Sequence, residues 1–446
     1  MDRLITQQLL DWKNAKHRKP LLLRGARQVG KTWSIIDFGK RFFKGTVHLV
    51  DLEKHPDWHG IFDKNLETSR ILSELEIFLN ASIIPGKDLL FFDEIQSCPR
   101  AIMALRYFYE ENPQLHVVAA GSLLDFTIQD ISFPVGRVQI VNMNPMGFIE
   151  FLWAIGKTKA AEVLLDIPRT LPVSVHEMLL NELRRYFFIG GMPECIQRYA
   201  ETERIRDAFE IQSQLINAFR QDFAKYTQLS DKRCLNAVLT SAAQNVGRQI
   251  KYARMAEGFS NPTIKKAFEL LRLAQIIRKV SSVNPPIIPF GASASEKRFK
   301  ALLVDIGLMQ NLCNIPVDTE FQKTDLLSIY EGAMAEQFVG QEFLVAGRTN
   351  LFYWARDVKS STAEVDYLLD RDGQTLPVEV KSGSSGRLKS LHMLLNQYKE
   401  FPLGYILSCA PYAKLREQKL VFLPIYYAFS LALQNKIAFN WLEDTV

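Results

Sequence analysis

The sequence predicts an α/β protein whose N-terminal third is an open, mostly parallel sheet, and three observations carry that prediction. Short apolar runs, among them Leu21-Leu22-Leu23 and Leu89-Leu90-Phe91-Phe92, have no polar face, as expected of strands covered by helices on both sides. The first run leads into Gly25-Ala26-Arg27-Gln28-Val29-Gly30-Lys31-Thr32, the G-x-x-x-x-G-K-[ST] spacing of a phosphate-binding loop, with a helical stretch after it. The second run ends in Asp93-Glu94, paired carboxylates at a strand tip on the same edge of the sheet.

Length and composition set the frame. A chain of 446 residues is too long for one core and suggests about three domains. With 47% hydrophobic and 23% charged residues it reads as an ordinary globular protein. The net charge of +5 permits a nucleic-acid partner without arguing for one. Five scattered cysteines without a C-x-x-C pair suggest neither zinc nor a disulfide framework and fit a reducing cytoplasm. The start lacks a signal-peptide pattern, and no apolar run approaches the roughly 18 residues of a membrane span, so a soluble, cytoplasmic protein is expected.

In chain order, residues 4–12 read as a short helix and 13–20 as a basic turn into the first strand. In the loop, backbone N–H groups and the N-terminal end of the following helix would cradle a phosphate chain. Lys31 would reach the β- and γ-phosphates of ATP, and the Thr32 hydroxyl would ligate Mg²⁺. A second strand is expected over 46–52 and a helix over 57–81, with Ile71, Leu75, Phe78 and Leu79 on its apolar face. His55 and His59 have helical ligand spacing, but Pro56 interrupts and no third ligand is near, so no metal is expected there. Asp93 would hold Mg²⁺ through water, and Glu94 would polarise the water that attacks the γ-phosphate. The next strand, 115–120, ends in Gly121-Ser122, which makes Ser122 a candidate γ-phosphate sensor. Arg137 precedes a fifth strand at 138–142. It is either an arginine finger, acting in cis or from a neighbouring subunit, or a structural surface residue.

These motifs, with Pro134-Val135-Gly136-Arg137, Asn144-Pro145-Met146-Gly147-Phe148, Gly190-Gly191-Met192-Pro193-Glu194, Gln221-Asp222-Phe223-Ala224-Lys225-Tyr226 and Tyr330-Glu331-Gly332-Ala333-Met334-Ala335-Glu336, give a resemblance that covers nearly the whole chain. The sequence resembles the prokaryotic AAA+-superfamily ATPases that carry a C-terminal DUF4143 domain. The resemblance implies a RecA/AAA+-like ATPase core, a helical lid and a C-terminal nuclease-like fold. No lid arginine stands at Gly190-Gly191-Met192, so a second sensor has no candidate.

Helical periodicity runs from 145 to about 228 and suits a lid that closes on ATP. Residues 235–283 suggest a winged helix-turn-helix. One helix is expected at 250–256, Ser260-Asn261-Pro262-Thr263 would be a turn with a capping serine or threonine before a second helix at 264–273, and the wing would begin at Ile276. Lys251, Arg254, Lys265, Lys266 and Arg272 would face DNA phosphates, although such units also serve as packing modules. A linker is expected over 281–295. The last domain should carry a helix with Glu336, a strand at 351–354 and a hairpin that holds Glu364, Asp366, Glu379 and Lys381. Strand alternation lets Asp366, Glu379 and Lys381 converge, a spacing that resembles the PD-(D/E)xK nucleases. That resemblance makes Glu336, Asp366 and Glu379 candidate metal-binding acids and Lys381 the candidate lysine, with 383–386 a flexible loop.

The expected domains are therefore an ATPase core at 1–143, a lid at 144–234, a winged-helix-like domain at 235–315 and an α/β PD-(D/E)xK-like domain at 316–446. The expected function is Mg²⁺-dependent ATP hydrolysis coupled to a DNA-interacting and DNA-cleaving C-terminal domain. The alternative is an ATP-gated switch in which an inactive nuclease-like domain docks protein or DNA. Partners beyond ATP would be DNA, another protein or further copies of the chain.

Overall fold

Apolar strands without a polar face need cover on both sides, and two such strands lie inside a five-stranded parallel sheet. The five are β1 (Leu21–Arg24), β2 (Val47–Asp51), β3 (Leu89–Asp93), β4 (His116–Gly121) and β5 (Gln139–Asn142). Their order is β2-β3-β4-β1-β5, and all neighbouring pairs are parallel. The inner strands β3 and β4 are buried at every residue, whereas edge strand β2 alternates between buried and half-buried positions. The carboxyl ends of β1, β3 and β4 lie side by side, so whatever follows each strand shares one edge of the sheet.

The structure is a computed structural model that describes residues 1–127, 132–166, 168–223, 230–316, 321–322, 332–356, 363–381 and 388–433. The chain divides into two compact units, one over residues 2–144 and one from residue 145 onward. In the first unit, the helix expected over 57–81 is split into a 3-10 turn, Pro56–Phe62, and a helix, Thr68–Leu79. Pro56 and Gly60 favour the turn, and the Asn65 side chain accepts from the Arg70 guanidinium at 2.8 Å, fixing the bend before the helix. Ile71 and Leu75 are buried as expected, but Phe78 is 50% exposed. His55 stacks on Trp58, and the His59 ring contacts the Leu52 carbonyl oxygen at 2.7 Å, so neither imidazole points to a shared ligand position.

The second unit begins with helices Phe148–Ala154, Thr158–Leu165, Val173–Ile189, Pro193–Thr202 and Ile205–Asp222. The last three residues of Gln221-Asp222-Phe223-Ala224-Lys225-Tyr226, like Tyr330, Glu331 and 383–386, lie outside the described residues. Gly190-Gly191 marks a junction: Gly191 N–H donates to Asp305, Gln341 donates to the Tyr186 hydroxyl at 2.8 Å, and that hydroxyl donates to the Met146 carbonyl at 2.6 Å. Two of the motifs noted in the sequence, those of Met146 and Gly191, therefore meet in one buried polar knot.

An eight-stranded mixed sheet completes this unit. Its strands are β6 (Ile277–Val283), β7 (Ala294–Leu303), β8 (Leu351–Ala355), β9 (Glu364–Arg371), β10 (Gln374–Val380), β11 (Gly404–Ser408), β12 (Ala413–Leu415) and β13 (Leu420–Pro424). The order is β12-β13-β11-β10-β9-β8-β6-β7. Of the two capping candidates Ser260 caps the helix, which starts at Asn261 rather than 264, and the expected wing strand, β6, pairs antiparallel with β7. The other edge of β6 pairs with β8, so the sheet runs across the boundary expected at 315/316. The helix expected at 250–256 is only a 3-10 turn, Tyr252–Arg254, because Ile250 N–H bonds to the Phe299 carbonyl instead of opening a helix. Both ends of the linker expected at 281–295 are strand.

Candidate functional site

The loop after β1 departs from ordinary backbone geometry at two points. Gly30, at φ 91°, takes a left-handed conformation at the start of helix Lys31–Phe42. Gly25 is needed for a different reason: a Cβ there would lie 2.3 Å from the Met143 carbonyl oxygen where the chain leaves β5. The sequence motif predicts both glycines, but only the fold separates a turn requirement from a close-approach requirement.

Lys31 is 7% exposed, and its ammonium donates to the carbonyls of Gly25 and Ala26 at 3.1 and 2.9 Å, folded back onto the loop. Burial pushes the Lys31 pKa down to about 8, against the opposing pull of Glu94 and Asp93. The Thr32 hydroxyl donates to Asp93 Oδ2 at 2.7 Å, so the loop and the acidic strand tip meet. Burial raises the Asp93 pKa, with the Thr32 hydrogen bond opposing the shift. A hydroxyl and a carboxylate in contact are hard oxygen donors of the kind Mg²⁺ takes beside phosphate oxygens.

Glu94 sits at φ 47°, a left-handed conformation that costs a non-glycine residue about 1–3 kcal/mol. Its carboxylate accepts from Gln96 Nε2 at 2.5 Å, while Gln96 Oε1 is buried without a hydrogen-bond partner. Gln96 thus fixes the carboxylate expected to orient water, a role the sequence reading did not assign. The signal was its position two residues after Glu94. Ser122 follows β4, the strand between β1 and β3, and its hydroxyl is buried and unpartnered. Arg24, at the end of β1, was also passed over; it donates to Asn142 and to Asp125, the latter at 2.7 Å.

Arg137 is placed elsewhere. It precedes β5, which runs parallel to β1, whereas Lys31 follows β1. The length of a four-residue strand, about 13 Å, therefore separates their levels in the sheet. The Arg137 guanidinium pairs with Glu110 at 2.9 Å and lies over the Tyr109 ring, beside a surface cavity with Phe133, Pro134 and Val135 in its wall.

A second cluster lies in the eight-stranded sheet. Helix Ala333–Val345 brings Glu336, β9 brings Glu364 and Asp366, and β10 carries Glu379 and leads into Lys381. Asp366 Oδ2 accepts from Val380 N–H at 2.9 Å, and Lys381 pairs with Glu379 at 2.6 Å. Glu336, Asp366 and Lys381 line one cavity of about 490 Å³ with Gly247 and Arg248. The four expected residues are thus gathered, and the sequence reading missed a fifth, Lys300 on β7. Its ammonium lies 2.9 Å from Glu336, 3.2 Å from Glu364 and 3.4 Å from Asp366. Burial raises the pKa of Glu336 and of Glu379, while the surrounding acids outweigh burial at Lys300 and hold it charged. No group of three or more His, Cys, Asp or Glu suited to a metal ion occurs among the described residues.

A parallel sheet with a glycine loop after one strand and paired carboxylates after another is the arrangement of P-loop nucleotide-binding proteins. Residues 17–152 match the family described as AAA domain, 180–319 a domain of unknown function designated DUF8612, and 331–427 one designated DUF4143. The chain carries an AAA domain of the AAA+ ATPase class, with the two domains of unknown function after it. Among solved structures, the Walker-type ATPase PABY2304 of Pyrococcus abyssi is 17% identical, with a TM-score of 0.44 over 70% of this chain and 95% of that one. The Aeropyrum pernix ORC1 protein in complex with DNA is 11% identical, with a TM-score of 0.29 over 71% and 91%. The Holliday junction branch migration motor RuvB of Thermotoga maritima is 15% identical, with a TM-score of 0.28 over 63% and 87%. No curated protein matches the chain. No described helix is long and apolar enough to cross a membrane.

Proposed function

We propose that the protein hydrolyses ATP with Mg²⁺ and uses the nucleotide state to control the region from residue 145 onward as a switch that docks DNA or protein. The observation that carries the hydrolytic part is the 2.7 Å bond from Thr32 to Asp93, which sets a magnesium-type donor pair beside Lys31 and Glu94. On ATP binding Lys31 exchanges two loop carbonyls for β- and γ-phosphate oxygens. Thr32 and Asp93 would hold Mg²⁺, which would supply charge neutralisation during phosphoryl transfer. Glu94, steadied by Gln96, polarises the attacking water, and Ser122 contacts the γ-phosphate. Arg137, at the far edge of its own sheet, acts as a finger only from a neighbouring subunit. The helices of 145–222 serve as the lid that passes the nucleotide state on.

The test is γ-phosphate release in Mg²⁺ and in EDTA, each with and without double-stranded DNA. Mg²⁺-dependent release supports the reading, and stimulation by DNA selects DNA over protein as the docked partner. Absence of release from correctly folded protein overturns it. A second reading, cleavage of DNA by the C-terminal region, is favoured by the gathering of Glu336, Asp366, Glu379 and Lys381. It requires Mg²⁺-dependent plasmid nicking that Lys381→Ala removes.

A further inference from the structure

The acids of the second cluster are already engaged. Lys300 is 1% exposed, and its ammonium is surrounded by carboxylate oxygens from Glu336, Glu364 and Asp366 within 3.4 Å, with the Tyr353 ring 5.1 Å away. The second oxygen of Asp366 is held by Val380 N–H, and one oxygen of Glu379 by Lys381. Gly247 closes on the second oxygen of Glu336, where a Cβ would stand 2.8 Å away. Glu379 Oε2 alone in this set is buried and unpartnered. A hard divalent ion needs carboxylate oxygens at about 2.1–2.6 Å and would have to share them with an ammonium group already in their midst. Like charges at that separation, away from water, repel strongly.

We propose that Lys300 is the resident cation of this centre, standing where a PD-(D/E)xK-type site would hold its metal, and that these acids therefore take no divalent ion. Lys300 neutralises the acids and ties β7 to β9 and to helix Ala333–Val345. The inference is independent of the ATPase reading, because its test requires no nucleotide.

The test is Mn²⁺ binding followed by electron paramagnetic resonance, on the full chain without nucleotide and in an Asp93→Asn background that silences the other magnesium position. With Lys300 intact, no site that depends on Asp366 is expected. Lys300→Met should create one site, tighter by about tenfold or more, and Asp366→Asn should remove it again. An Asp366-dependent Mn²⁺ site in the Lys300 protein overturns the proposal, as does a folded Lys300→Met protein that gains none. Should Lys300→Met fail to fold, the unfolding midpoint of the Lys300 protein in Mn²⁺ against EDTA decides. An unchanged midpoint supports the proposal, and a rise abolished by Asp366→Asn refutes it.

Discussion

Burial disfavours the Lys31 ammonium, and ATP binding should relieve that cost as measurable proton uptake. Lys31 is buried against loop carbonyls, and its pKa falls from 10.5 to about 8. That difference corresponds to about 3 kcal/mol disfavouring the ammonium in the free protein. The triphosphate supplies the missing negative charge, so ATP binding should return Lys31 to full protonation. Linkage then requires proton uptake of about half a proton at pH 8 and close to one at pH 9, with little at pH 7. The same shift makes the free protein gain stability as pH rises from about 8 to 10.5, because the unfolded chain binds the extra proton in that window. Bound MgATP should remove this gain. Calorimetric titrations of MgATP in buffers of different ionisation enthalpy measure the uptake directly. Lys31→Arg, which keeps its charge throughout, should show none. Equal uptake at pH 7 and pH 9, or uptake that persists in Lys31→Arg, would refute the reasoning.

Other outcomes follow from the same geometry. Gln96→Leu releases the Glu94 carboxylate and should lower the maximal ATP turnover about tenfold or more while leaving ATP affinity near wild type, as steady-state kinetics and calorimetry would record. Asp305→Ala strips acceptors from the buried N–H groups of Gly191 and Leu308, so chemical denaturation should show a loss of about 2–4 kcal/mol. Arg137→Ala should abolish turnover alone yet be complemented by mixing with Lys31→Ala subunits, since each supplies what the other lacks; mixtures no more active than the separate variants would exclude a trans finger.

The meeting of the glycine loop with the acidic strand tip was legible because each part is local in sequence. A glycine loop after an apolar run and two acids after another declare the sheet edge they share, and the fold brings Thr32 and Asp93 into contact. Errors arose where long-range pairing overrides local pattern. Ile250 looked helical until Phe299 took its N–H, and the wing hairpin read as a separate element although β6 borders β8. Lys300 was the least legible residue. It sits in a strand otherwise read as part of the middle region, and its meaning arises only when β7 and helix Ala333–Val345 bring it to acids 36 to 66 residues away in sequence. Its type is commonest on surfaces, so nothing local marked it as buried.

The central claim is that the loop ending in Thr32 and the strand ending in Asp93-Glu94 together hydrolyse ATP. It is tested most directly by γ-phosphate release from wild type and Glu94→Gln at MgATP concentrations that saturate both by calorimetry. Comparable binding is expected, with turnover in Glu94→Gln reduced by about a hundredfold or more. Equal turnover in the two proteins would contradict it.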